Sequence, residues 1–95
     1  MPEKSRPDSN VDLGKPPIEY TRHFRAMLKE RAIPMAYIKG TLAKPEKIED
    51  RSDGTKHFLR QVPEHGNRWL RVVVNVSVMP GRAVTAFFDR RLRGK

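Results

Sequence analysis

Cysteine is absent from this 95-residue chain. That excludes a disulfide framework and every cysteine-ligated metal site, and it fits a reducing cytoplasm, the compartment expected. Long apolar runs are absent as well. The longest uninterrupted aliphatic stretch is residues 72–74, far too short to span a bilayer, so no membrane partner is expected. The opening MPEKSRPDSN has no apolar core, and no secretory signal is expected from it. Acid is scarce where most of the chain lies. From residue 21 onward seventeen basic residues stand against seven acidic ones, a net of +10, whereas the first twenty residues carry a net of −1. A small domain this basic attracts polyanions, of which nucleic acid is the usual one.

Motifs are missing too. His23, His57 and His65 lack metal-ligand spacing, and no carboxylate cluster accompanies them. There is no glycine-rich phosphate loop, no paired-carboxylate signature and no Gly-x-Ser-x-Gly elbow. No metal and no other cofactor is therefore expected. One chemistry survives this filter. RNA carries its own nucleophile, the ribose 2′-hydroxyl, so a base, a cation for the crowded phosphate and an acid for the leaving oxygen suffice to cut it.

The chain divides by composition. Residues 1–19 hold Pro2, Pro7, Pro16 and Pro17 with few apolar side chains, and read as a flexible tail. Residues 20–90 read as a single α+β domain, and residues 91–95 as a basic C-terminal tail. Thr21 is a suitable N-cap for a helix from about Arg22 to Arg31. Pro34 suits the start of a second helix with Met35, Ile38 and Leu42 on one face, weakened by Gly40 and stopped by Pro45. From Glu46 the pattern turns to strands. KIED (47–50) is a weak one, TKHFLRQV (55–62) alternates, RWLRVVVNVSV (68–78) is the strongest, and RAVTAFFD (82–89) is the last. SDG, PEHGN and MPG punctuate them. Short turns imply antiparallel neighbours. The expected fold is α+β, with two N-terminal helices packed on a three- to four-stranded antiparallel meander sheet.

Alternation assigns Leu70, Val72, Val74, Val76 and Val78, with Val84, Ala86 and Phe88, to the core face. The opposite face carries Trp69, Arg71, Val73, Asn75, Ser77, Thr85 and Phe87. Rings that stack on bases and arginines that meet phosphate make this face a candidate nucleic-acid surface, with Trp69, Arg71, Arg90 and Arg91 as its binding residues. An ordinary half-exposed sheet face is the alternative.

The first helix holds the candidate chemistry. Phe24, Met27 and Leu28 form an apolar stripe, Arg31 interrupts it and His23 sits in its first turn. His23 is the candidate base and Arg31 the candidate phosphate ligand, unless Arg31 forms an internal salt bridge with Glu30, Glu49, Asp50 or Asp89. Arg60 alternates with Phe58 and Val62 and shares this ambiguity. His57 is a weaker candidate base, and Thr85 a candidate hydrogen-bond donor to phosphate.

The order of these features resembles a small bacterial family, domain-of-unknown-function family 4258. The resemblance is carried by His23, by ER at 30–31, by Ile33 opening a second helix, by TLAKPEKIED at 41–50, HFLR at 57–60, WLRVVV at 69–74 and AVTAFF at 83–88. More distantly, the helix-then-meander order ending in FFDRR is similar to BrnT-type and RelE-type toxins of toxin–antitoxin pairs, within the barnase–EndoU–colicin–RelE group of metal-independent ribonucleases. That resemblance implies an RNA-cleaving or RNA-binding sheet, with His23, Arg31, Arg60 and Thr85 at its recurrent catalytic positions. It implies RNA as substrate, free or on the ribosome, and an acidic antitoxin protein as partner. The rival readings are a non-catalytic basic module that binds nucleic acid or an acidic protein, and a structural adaptor whose arginines are paired internally.

Overall fold

A computed structural model describes residues 18–92. Most of the proline-rich tail (1–17) and the last three residues of the basic tail (93–95) lie outside the described residues. Along the chain run β1 (Ile18–Glu19), α1 (Arg22–Glu30), α2 (Met35–Ala43), β2 (Lys47–Asp50), β3 (Thr55–Val62), a 3₁₀ turn (Pro63–His65), β4 (Arg68–Asn75) and β5 (Gly81–Phe88). The strands form one sheet in the order β1-β5-β4-β3-β2.

The class is α+β, but the sheet differs from the one expected. It has five strands rather than three or four, and it is mixed rather than an antiparallel meander. From β2 to β5 each strand is antiparallel to the next. β1 then adds to the outer edge of β5 in parallel, Ile18 opposite Gly81 and Glu19 opposite Arg82. A two-residue strand directly after Pro16 and Pro17 has no alternation to read, so only the long-range contact reveals it. Gly81 permits that contact. A Cβ at this position would stand 3.3 Å from Ile18 Cδ1 and 3.4 Å from Val74 Cγ1, so a larger residue would push β1 away. The Glu19 carboxylate accepts a hydrogen bond from Arg82 Nε at 3.1 Å, closing the same pair.

Both helices cover one face of the sheet. Phe24, Leu28, Ile33 and Ile38 pack with Val62, Leu70, Val72, Val74, Ala83 and Ala86. Leu70, Val72 and Val74 are wholly buried as the alternation required. The strand ends at Asn75, however, and Val76 beyond it is exposed. On β5 the expected inward set Val84, Ala86 and Phe88 is broken. Val73 pairs with Thr85 but Val74 pairs with Ala83, which leaves Val84 as the extra residue of a bulge. The bulge shifts the pleat by one, so Ala83 and Ala86 both face the core while Val84 is exposed. Among the described residues no helix is long and apolar enough to cross a membrane.

The ends of α1 are set locally. Thr21 Oγ1 accepts from the Phe24 amide at 3.0 Å, the expected N-cap. At the other end the Ala32 amide donates to the Lys29 carbonyl at 3.2 Å, and the Ile33 amide to the Leu28 carbonyl at 2.9 Å. This is a Schellman stop, and buried Ile33 packs beside Leu28 behind it. Its pivot, Ala32, has φ 56°, a left-handed backbone that glycine normally supplies. The stop leaves Arg31 as the last residue of the helix surface. Replacing the pivot by Ala32→Gly is expected to stabilise the protein by about 1 kcal/mol in chemical denaturation. No gain would show that Ala32 holds no backbone strain.

Candidate functional site

Of the expected catalytic residues, the fold brings Arg31 and Thr85 into contact. His23, Met27 and Arg31 are spaced by four and so lie along one stripe of α1, beside the core-facing Phe24 and Leu28. The stripe runs along β5, whose outer edge beyond Arg82 has no strand neighbour among the described residues. Arg31 Nη1 donates to the Ala86 carbonyl at 2.7 Å and to Thr85 Oγ1 at 3.2 Å. The Thr85 hydroxyl in turn donates to Met27 Sδ at 3.3 Å. Helical side chains lean toward the helix N-terminus, and here Arg31 and Met27 meet on one hydroxyl. His23 is exposed in the first turn of α1, about 12 Å from Arg31 along the axis.

The partners of Arg31 are both neutral. None of the carboxylates expected as its salt-bridge partner (Glu30, Glu49, Asp50 or Asp89) reaches it. Its Nε and Nη2 donate to no acceptor among the described residues. The result is an exposed guanidinium held in place by a carbonyl and a hydroxyl, with donors to spare and its charge uncompensated.

Arg60 does not join this group. It faces the helix side of β3, opposite Leu70, and Nη1 donates to the Lys44 carbonyl at 2.8 Å. It thereby satisfies a free carbonyl at the C-terminus of α2. With β4 between β3 and β5 and Arg60 level with Phe88, three residues along from Thr85, it lies about 14 Å from Thr85.

The expected nucleic-acid face is built differently from its forecast. Arg71 does lie on the helix-free face, but it is 4% exposed. Nε donates to Asp89 Oδ2 at 2.8 Å, and Nη1 donates to Glu49 Oε1 at 3.0 Å and to His57 Nδ1 at 2.8 Å. A guanidinium only donates, so Nδ1 must accept and the proton of the neutral ring sits on Nε2. Burial, followed by the nearby Arg51 and Arg71 charges, lowers the His57 pKa and keeps that ring neutral. In this state His57 can donate from Nε2 but cannot take a proton there.

Arg91 closes the cluster. It donates from its amide, Nε and Nη2 to the Asp89 carboxylate at 3.0, 3.1 and 3.1 Å. Hydrogen bonds from Arg91, then from Arg71, bring the Asp89 pKa down from 3.8 to about 2. The Glu49 carboxyl is likewise lowered, chiefly by its hydrogen bond with Arg71. Trp69 is half-buried, with Lys47 Nζ 5.6 Å from its ring centroid. Arg90 is exposed and has no hydrogen bond or ion pair among the described residues. Thus Arg71 and Arg91 are neutralised within the protein, whereas Arg31 and Arg90 are not. Among the described residues no group of three or more His, Asp or Glu is placed to hold a metal ion.

A family profile described as Domain of unknown function (DUF4258) matches residues 20–88. The match covers well over half of the chain, and the protein belongs to that family. No curated protein and no solved structure matches it, and the expected likeness to BrnT-type and RelE-type toxins is not shown by these comparisons.

Sequence reasoning put Asp89 among the partners of Arg31, and it proved to be the partner of Arg71. The available signal was FFDRR, a lone acid among arginines at the end of a strand that faces position 71. Asp89→Asn is expected to destabilise the protein at neutral pH by roughly 2 kcal/mol, since the carboxylate is held below its unfolded value. That contribution is fully present above pH 4 and is lost as the pH falls toward 2. The gap between parent and variant in urea melts should therefore close across that interval. A gap that is constant with pH would show that the ion pairs add nothing.

Proposed function

We propose that the protein binds RNA at the α1–β5 margin and cleaves its backbone without a metal ion, with His23, Arg31 and Thr85 as the reacting group. The supporting observation is Arg31, an exposed arginine without a carboxylate partner, fixed by Ala86 and Thr85 on the same helical stripe as His23. The remaining donors of Arg31 suit the paired oxygens of a phosphate. Thr85 Oγ1 can turn from the Met27 sulfur, a weak acceptor, to a phosphate oxygen.

In this reading His23 takes the proton of a ribose 2′-hydroxyl, and the 2′-oxygen attacks phosphorus. The bond from phosphorus to the 5′-oxygen breaks, and in so open a site the leaving oxygen takes its proton from solvent. The products are a 2′,3′-cyclic phosphate and a 5′-hydroxyl. Arg31 and Thr85 stabilise the charge that builds on the non-bridging oxygens. His57 is unsuited as the base because its free nitrogen carries the proton. An unrestrained ribonuclease needs a neutralising partner, and for a chain of net charge +9 that partner would be acidic.

Incubating the protein with RNA in EDTA, and again with ribosomes, tests the reading. Cleavage to 2′,3′-cyclic ends is expected, falling about 10²–10⁴-fold in His23→Ala and about 10²–10³-fold in Arg31→Ala. RNA binding measured by filter retention should survive His23→Ala. Intact RNA in both assays, with binding retained, would leave a binding module and remove the catalytic role of His23.

A further inference from the structure

A second site lies further along β5. An open cavity of about 520 Å³ is bounded by the turn at residues 66–68 on one side and residues 88–92 on the other. Phe88 lines this cavity, and the His65 ring, beside the cavity and not in its lining, stacks on Phe88 with centroids 4.3 Å apart and planes 13° from parallel. Phe88 is half-buried and anchored against the core cluster. His65 is exposed, so one face of its ring packs on Phe88 and the other meets solvent. The Arg68 guanidinium carbon stands 5.9 Å from the Phe88 centroid. Arg68 is exposed and has no carboxylate partner among the described residues, and Arg90 across the cavity has none either. The one acid lining the cavity, Asp89, is already bonded to Arg71 and Arg91.

The local backbone explains why this stack is presented. Pro63 starts the 3₁₀ turn, and Gly66 (φ 66°) with Asn67 (φ 58°) reverses the chain in left-handed conformations. A Cβ on Gly66 would meet nothing within 4 Å, so the space beside it is open. The Asn67 amide donates to the Val62 carbonyl at 2.9 Å, and its own carbonyl accepts from Gln61 Nε2 at 3.3 Å. The turn is thus tied to β3, while the His65 ring above it has no hydrogen bond among the described residues.

We infer that this cleft and the His65–Phe88 stack at its edge form a nucleoside-binding subsite, in which one base of an RNA strand stacks on the outer face of His65 while Arg68 and Arg90 in the cleft hold the adjoining phosphate. Base–aromatic stacking is worth enough to order a nucleotide and tolerates any sequence, because every base has a π-face. Two arginines that both line the cavity and have no carboxylate partner among the described residues suit a phosphate. The choice of RNA as ligand rests on the proposed function. Its geometric support is spacing along β5: Arg31 grips the Ala86 carbonyl, and Phe88, which carries the His65 stack, follows two residues on, or about 7 Å. One short strand can therefore reach both positions.

Amide shifts of the full-length protein on titration with adenosine 5′-monophosphate, ribose 5-phosphate and inorganic phosphate test the subsite. The nucleotide should bind about tenfold more tightly than ribose 5-phosphate, with the largest shifts around residues 65–68. His65→Ala should erase that advantage, and Arg90→Ala should weaken both sugar phosphates alike. Both residues are exposed, and an unchanged melting temperature would confirm that the variants fold. Equal binding of the two sugar phosphates, or an advantage that survives His65→Ala, would overturn the subsite even where RNA is cut in EDTA. An advantage lost in His65→Ala while RNA stays intact would uphold the subsite and remove the catalytic reading alone.

Discussion

The buried guanidinium of Arg71 is the constraint around which the helix-free side of the sheet is arranged. An arginine at 4% exposure must have anions beside it, since removing one partner of a buried pair costs several kcal/mol. Those anions come from opposite ends of the antiparallel run, Glu49 on β2 and Asp89 just after β5. His57 fills the third position from β3. The cluster therefore spans four strands and joins them from the side that has no helices. Leu59, wholly buried beside Arg71 in register, belongs to this second face and not to the core beneath α1 and α2.

The same cluster decides where the positive charge remains available. The chain has few acids beyond residue 20, and the cluster takes two of them at once. Arg51 also leans on Glu49, and Arg91 on Asp89. Arg31, Arg68 and Arg90 have no carboxylate among the described residues. All three lie against β5 or just beyond either end of its contacts. β5 accepts β1 at Gly81, bulges at Val84, offers Thr85 and Ala86 to Arg31, anchors the His65 stack through Phe88 and is followed directly by Asp89. Its outer edge is covered by only two strand residues, and this leaves room for α1 and its arginine.

What the sequence disclosed, and what it withheld, follows from the range of the forces involved. The cap at Thr21, both helices and the four antiparallel strands came from periodicity and turn residues, which act over a few positions. β1 did not, because its two residues gain their conformation only by meeting Gly81 more than sixty positions away. The bulge at Val84 was invisible for a related reason. An alternating run cannot show that one residue is extra until the partner strand fixes the register. Arg71 was placed on the correct face, but its burial was missed, since alternation assigns a side and not the depth. Arg31 was recognised as an interruption of an apolar stripe. Its neutral partners, a hydroxyl and a backbone carbonyl, have no sequence signature.

Two histidine–arginine pairs illustrate how local acid content separates structure from chemistry. His57 and Arg71 touch, yet two carboxylates neutralise the arginine, Arg71 itself is buried and the histidine is held as a donor. His23 and Arg31 do not touch, but both are exposed and neither has an acid partner among the described residues. An anion arriving at the α1 margin therefore meets charge that no carboxylate among the described residues neutralises, and that salt largely screens beyond a Debye length of about 8 Å. Proximity alone would favour the first pair as the site. The proposed function takes the second because of the electrostatics and the tautomer.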